Sequence, residues 1–233
     1  MGSGSPRVVL ITGASRGLGR ALALGAAGPD THLVLVARTA GALEEVDDAV
    51  GARGGSATLV PLDLTLKEGI ERLGAAIAAR HGRLDALIGN AGTLGTLTPA
   101  SHLTPVELER VLALNLLANQ RLIRSMEPLL RAAPRGRAVF VTAAEARAQR
   151  PFWSAYAASK AALEALVLAW AAELARSPVR INLALPPPMP TRLRATAFPG
   201  EDPARLAAPD VHAAAILALT SPDATRHGEI VRI

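Results

Sequence analysis

Short apolar runs alternate with amphipathic stretches from one end of the chain to the other. The runs Arg7–Thr12, Leu33–Ala37, Ala57–Pro61, Ala86–Gly89, Ala138–Thr142, Val179–Ala184 and Glu229–Ile233 are predicted strands. Most are apolar at consecutive positions rather than alternate ones, as a parallel sheet covered on both faces requires. The stretches Leu18–Ala27, Ala40–Ala52, Leu66–His81, Pro105–Arg131, Ala155–Arg176 and Pro209–Ser221 carry the spacing of helices. Strand and helix alternate with short gaps. That order predicts an α/β fold, a Rossmann-type doubly wound sheet of about seven parallel strands with helices on both faces.

One stretch stands apart from this rhythm. Residues 186–209 are rich in proline and include Phe198-Pro199-Gly200. Proline blocks a helix interior and a central strand alike, so a long loop over one end of the sheet is expected. It reads either as a plain surface connection or as a substrate lid. Loops of this length in compact domains are often functional, which favours the lid.

Composition narrows the picture. The 233 residues suit a single domain, 1–233, and half of them are hydrophobic, enough for a sizeable core. The chain has no cysteine, which excludes disulfides, thiolate metal sites and cysteine nucleophiles. No metal-ligand set is read from the chain. No apolar run reaches the roughly 20 residues that span a bilayer, so no membrane association is expected. Met1–Ser5 lacks the basic start and apolar core of a signal peptide and is expected to be a flexible terminus. A cytoplasmic location follows as the default.

The net charge of +5 raises the question of nucleic acid. The cations are scattered, however, and there are few aromatics to stack bases, so no nucleic-acid partner is expected. Nearly all the cations are arginines; of 25 basic residues only Lys67 and Lys160 are lysines.

The first strand runs into Thr12-Gly13-Ala14-Ser15-Arg16-Gly17-Leu18-Gly19 and then into a helix. Gly13 permits a tight turn, Gly17 lets the backbone approach a pyrophosphate, and Gly19 lets helix and strand pack closely. The free N–H groups and the positive end of the helix dipole face the phosphates. Three spaced glycines alone are weak evidence, but at the first strand–helix junction of an alternating chain they are strong. NAD binders usually carry an acid at the end of the second strand to accept the ribose 2′-hydroxyl. Here that end reads Ala37-Arg38, with Arg16 available in the glycine turn. A guanidinium forks onto a 2′-phosphate where a carboxylate repels it, which favours NADP(H) over NAD(H). The alternative is an arginine that merely ends a surface strand.

These residues, with others downstream, resemble the short-chain dehydrogenase/reductase family over nearly the whole chain. The glycine motif is similar to that family's, spaced unlike the commoner dinucleotide fingerprint. Asp63 and Leu64, in Pro61-Leu62-Asp63-Leu64, fall where the family contacts adenine. Leu87-Ile88-Gly89-Asn90-Ala91-Gly92 resembles its Asn-Asn-Ala-Gly strand, with Gly89 in place of the first Asn. Asn115 matches an asparagine of its active-site helix, Tyr156-Ala157-Ala158-Ser159-Lys160 its Tyr-x-x-x-Lys motif, and Pro186 and Thr191 the loop beside the nicotinamide. The segment Thr191 to Leu206 is similar to a bacterial subgroup.

The chemistry of the Tyr–Lys motif is also read from the residues. Tyr156, the only tyrosine, and Lys160 lie four apart and share one helix face. An ammonium and a cationic nicotinamide both favour the phenolate, so the tyrosine pKa is expected to fall toward neutrality. Tyr156 is then the proton donor to a carbonyl, and the base in reverse. The resemblance implies that Lys160 also bonds the nicotinamide ribose and that Asn115 organises a proton-relay water. It also implies a homodimer or homotetramer, paired through the two long helices.

The pattern breaks at three places. The family's serine lies thirteen residues before the tyrosine, and that count reaches Ala143. Loss of one such donor costs about two to three orders of magnitude in rate. Thr142 points to the opposite strand face and would need a local twist to substitute; Ser154 or a water are the other replacements. Pro186-Pro187-Pro188 stands where the family has Pro-Gly, and Pro187 removes a backbone donor. Gly89 is the third departure. Two functions follow: an NADP(H)-dependent oxidoreductase that interconverts a carbonyl and an alcohol on a small, largely apolar substrate, or a catalytically inactive relative that binds NADP(H) or works through assembly. The intact Tyr156, Lys160 and Asn115 favour the enzyme.

Overall fold

In the computed structural model, residues 5–233 are described; the first four positions of the expected flexible terminus lie outside them. The strands are β1 (Arg7–Thr12), β2 (Thr31–Ala37), β3 (Ser56–Pro61), β4 (Ala86–Gly89), β5 (Arg137–Val141), β6 (Arg180–Leu185) and β7 (Glu229–Arg232). Every pairing is parallel, and the order is β3-β2-β1-β4-β5-β6-β7. The helices are α1 (Gly17–Ala26), α2 (Ala40–Gly51), α3 (Gly69–His81), α4 (Pro105–Leu112), α5 (Ala118–Ala132), α6 (Ser154–Glu173), α7 (Arg192–Ala197) and α8 (Pro209–Ala218).

Consecutive strand residues feed opposite cores, as the period of two demands. Val8, Leu10, Val34, Leu87 and Phe140 pack with Leu73 of α3, Leu122 of α5 and Val167 and Trp170 of α6. Val9, Ile11, Leu33, Ile88 and Val139 pack with Leu22 of α1, Val46 of α2 and Ile216 of α8. Helices therefore cover both faces of a Rossmann-type sheet. Burying both faces of each strand is why the runs read as continuously apolar.

The elements depart from expectation where polar groups find tertiary partners. Strand β2 begins at Thr31, two residues early, because the buried His32 ring bonds Ser56 Oγ at 2.8 Å and Thr58 Oγ1 at 2.9 Å on β3. Helix α3 starts at Gly69 rather than Leu66. Asp63 Oδ1 accepts from Thr65 N and Oγ1 and closes a turn there instead. The expected helix Pro105–Arg131 is interrupted by a π-helical turn, Ala113–Leu117, between α4 and α5. The proline-rich stretch 186–209 is not a bare loop: it contains α7, whose Thr191 side chain caps Arg194 N, and a short 3-10 turn at Pro203–Arg205.

Gly89 pairs with Phe140 across β4 and β5. A Cβ at Gly89 would sit 2.3 Å from the Phe140 ring, so the fully buried phenylalanine occupies the space that a side chain at 89 would need.

Candidate active site

The sheet order reverses between β1 and β4, and open α/β sheets bind ligands in the crevice at that point. A cleft of about 850 Å³ opens there, at the C-terminal ends of the strands. It is lined by Gly13, Ser15, Arg16, Gly17, Leu18 and Gly19 from the first turn and by Arg38 after β2. Asp63 and Leu64 after β3, and Asn90, Ala91 and Gly92 after β4, continue the wall. Tyr156 and Lys160 of α6, with Pro186 and Thr191 after β6, complete it. These six chain segments, far apart in sequence, meet on one surface.

The glycine turn is held rather than loose. Asn90 Nδ2 donates to Thr12 O at 3.0 Å and to Gly13 O at 3.3 Å, while Thr12 Oγ1 accepts from Asn90 N and Ala91 N. Gly13 (φ 66°) and Gly17 (φ 52°) take the left-handed conformation that favours glycine. A Cβ at Gly19 would lie 2.0 Å from Gly13 O, so helix α1 approaches the turn as closely as backbone allows. Peptide N–H groups and the start of α1 therefore face the cleft, the arrangement that accepts phosphate. Arg16 and Arg38 line the same end and make no ion pair within 4.0 Å among the described residues. Asp63 is held below the usual carboxylate range, first by the Thr65 hydroxyl and amide and less by Arg38. These features fit a dinucleotide carrying an extra phosphate.

The other end of the cleft carries the titratable pair. Tyr156 and Lys160 are both buried, and Lys160 Nζ donates to Val141 O at 2.8 Å while standing 5.8 Å from the Tyr156 ring centroid. Burial lowers the Lys160 pKa to about 8, opposed by Glu164. The expected fall of the Tyr156 pKa is not produced by the protein's own groups. Burial pushes the phenol up, and the nearby Glu145 adds to the rise. Both oppose the ammonium one turn away, and the other cation of the expectation, the nicotinamide, belongs to the cofactor.

Asn115 is fully buried and is not part of the cleft wall. The π-helical turn aims its side chain at the neighbouring segments. Oδ1 accepts from Thr93 N at 2.8 Å, and Nδ2 donates to Thr93 O and to Ser159 Oγ, each at 2.9 Å. It ties the segment that follows β4 to the middle of the Tyr–Lys motif.

Ala143 packs with Leu94, Trp153 and Tyr156 and presents a methyl group to the cleft. Neither hydroxyl considered as a replacement is offered to the cleft. Thr142 lines the cleft, but its Oγ1 donates to Glu164 Oε1 at 2.7 Å, and Ser154 Oγ is buried outside the lining, without a partner among the described residues. Glu164 also receives Arg147 at 2.6 Å, so one buried carboxylate anchors the end of β5 against α6. Sequence reasoning missed Glu164. Its only signal is an acid four residues beyond Lys160, on the same helix face.

The proline-rich stretch lies over Tyr156. Leu193, Ala197 and Phe198 pack with Trp153, and the Trp153 and Phe198 rings are 5.7 Å apart. Arg194 pairs with Glu201 through two bonds of 2.6 Å and lies 3.7 Å over the Phe198 ring. Among the described residues no cluster of three metal-ligating side chains occurs, and no helix is long and apolar enough to cross a membrane.

Comparison with known proteins agrees with this geometry. The family model described as short chain dehydrogenase matches residues 7–202. The chain is 34% identical over 206 residues to the uncharacterized oxidoreductase YciK of Escherichia coli K12, covering 87% of this chain and 81% of that one. It is 35% identical over 177 residues to a fatty acyl-CoA reductase of Acinetobacter baylyi, covering 76% of this chain but 60% of that protein. A short chain dehydrogenase from Salmonella enterica serovar Typhi superposes with a TM-score of 0.92 at 32% identity, over 98% of this chain and 96% of that one. A protein of Escherichia coli CFT073, solved in complex with NADPH, superposes with a TM-score of 0.88 at 30% identity, over 98% and 96% of the two chains.

Proposed function

The chain belongs to the short-chain dehydrogenase family, and from that premise we propose that it is an NADP(H)-dependent oxidoreductase interconverting a carbonyl and an alcohol on a small, largely apolar substrate. The observation that carries this reading is that one cleft joins the glycine turn to the Tyr156–Lys160 pair. The turn, with α1, takes the pyrophosphate; Arg16 and Arg38 take the 2′-phosphate; Asp63 and Leu64 flank the adenine; Lys160 faces the nicotinamide ribose. NADPH bound there supplies the hydride. Tyr156 hands its proton to the carbonyl oxygen, and Lys160 keeps a positive charge beside the phenol. Asn115 is a positioning residue, holding Ser159 and the segment that follows β4. The side chains of Leu94, Trp153, Leu193 and Phe198 exclude water from the reacting carbon.

The test begins with a fluorescence titration of the purified protein with NADPH and NADH. Clear preference for NADPH, lost in Arg38→Glu, is expected; failure to bind either cofactor refutes the reading. Ala143→Ser is then expected to raise NADPH-dependent turnover of a simple diketone, and Tyr156→Phe to abolish it. The methyl group at 143 also favours a second reading, a protein that binds NADP(H) without turnover. Tight NADPH binding with no reduction of any C=O or C=N probe, in wild type or Ala143→Ser, establishes that reading instead. Except for the terminal Glu173, the exposed positions of α6 are Ala158, Ala161, Ala165, Ala169 and Ala172, a flat small-residue face that suits the homodimer or homotetramer common in this family.

A further inference from the structure

The part of the cleft beyond Tyr156 is an apolar chamber walled by Leu94, Trp153, Leu193, Ala197 and Ala143, with Phe198 packed behind Trp153. One carboxylate shares its lining, that of Glu145. It makes no ion pair within 4.0 Å among the described residues. Three neighbouring cations are engaged elsewhere. Arg147, two residues on, pairs with Glu164; Arg194, which feels the Glu145 charge, is held by Glu201; Arg150 lies over the Trp153 and Phe198 rings.

An unpaired carboxylate disfavours carbonyl reduction relative to reduction of a cation. Hydride addition to a C=O places negative charge on oxygen, which Glu145 repels and which no hydroxyl at position 143 receives. Glu145 also raises the pKa of the phenol that must give up the proton. A protonated C=N bond reverses each of these demands. Its carbon is electrophilic without a polarising donor, and hydride addition removes a charge rather than creating one. A carboxylate keeps its nitrogen protonated, and aromatic faces attract the cation.

We propose that the preferred substrate is an apolar iminium, reduced at carbon to an amine, with Glu145 as its counter-ion and Trp153 and Tyr156 as its aromatic walls. A C–H bond forms at the iminium carbon from the hydride that NADPH supplies, and the C=N π pair becomes the nitrogen lone pair. The iminium is reduced and NADPH is oxidised to NADP+. The amine then takes its proton from solvent. This rests on the hydride-transfer chemistry of the function proposed above and ranks a C=N substrate above the carbonyl.

Binding and turnover test it separately. With the protein saturated in NADP+, tetrahydroisoquinoline (a cation at neutral pH) and isochroman (its neutral oxygen isostere) are titrated by tryptophan fluorescence. The amine is expected to bind about tenfold to hundredfold more tightly, the range of a charge-assisted bond. Glu145→Gln removes the difference and leaves NADPH affinity unchanged. In turnover, 3,4-dihydroisoquinoline is reduced with NADPH in preference to α-tetralone, and Glu145→Gln raises KM for the imine more than it lowers kcat. Equal binding of amine and ether, a Glu145→Gln variant that keeps the preference, or faster reduction of the ketone overturns the proposal. Ketone turnover with NADPH leaves the carbonyl oxidoreductase reading standing; absence of NADPH binding removes that reading before any substrate is added.

Discussion

Gly19→Ala sets two effects of opposite sign against each other. Alanine inside α1 gains about 0.8–1 kcal/mol of helix propensity over glycine. The added Cβ, however, would lie 2.0 Å from Gly13 O and 2.7 Å from Asn90 Nδ2. Ordinary contact begins near 3.4 Å, so the turn must recede by about 1.4 Å. Neither obstacle is a flexible side-chain end: one is backbone, and the other is an amide tied to Thr12 O and Gly13 O. Losing those two bonds costs about 1 kcal/mol each, and overpacking about 1–3 kcal/mol more. After the propensity gain is subtracted, a destabilisation of about 2–4 kcal/mol is expected. The same displacement moves the N–H groups that receive the pyrophosphate, so the Kd for NADPH rises at least about hundredfold. Urea denaturation and fluorescence titration measure the two effects. Gly28→Ala, where a Cβ meets nothing within 4 Å, is the control and changes stability by less than about 0.5 kcal/mol. A Gly19→Ala protein that is more stable than wild type, or that binds NADPH normally, refutes the close-packed cradle.

Other outcomes follow from the same structure. Burial lowers the Lys160 pKa from 10.5 to about 8, so between those values the unfolded chain keeps a proton that the folded chain has shed. Stability therefore rises across that window, by a ceiling of about 3 kcal/mol, and Lys160→Met flattens the rise in denaturation measured at successive pH values. Gly89→Ala drives a Cβ into the Phe140 ring and costs about 1–3 kcal/mol. A double-mutant cycle with Phe140→Leu recovers part of that cost, whereas strict additivity contradicts the contact. Light scattering is expected to give a dimer or tetramer that Ala165→Glu, on the exposed face of α6, dissociates; a wild-type monomer at micromolar concentration refutes pairing through that face.

The sequence by itself determined the sheet and most of the cleft. Runs such as Val8–Ile11 are apolar at every position because both faces are buried, and that is visible residue by residue. The glycine turn, Arg38 and the Tyr156–Lys160 pair are legible for the same reason, since each depends on spacing within one segment. What escaped depends on atoms brought together from different segments. His32 extends β2 only because two hydroxyls wait on β3. The π-helical turn and the full commitment of the Asn115 side chain need Thr93 and Ser159 in place. Thr142 is lost as a donor because Glu164 takes its hydroxyl, and Glu145 meets Tyr156 only once the 3-10 turn at Ala144–Ala146 folds beside α6. Local periodicity sets which side chains a strand or helix buries. The electrostatics of the site are instead a sum over neighbours distant in the chain, which only the tertiary structure assembles.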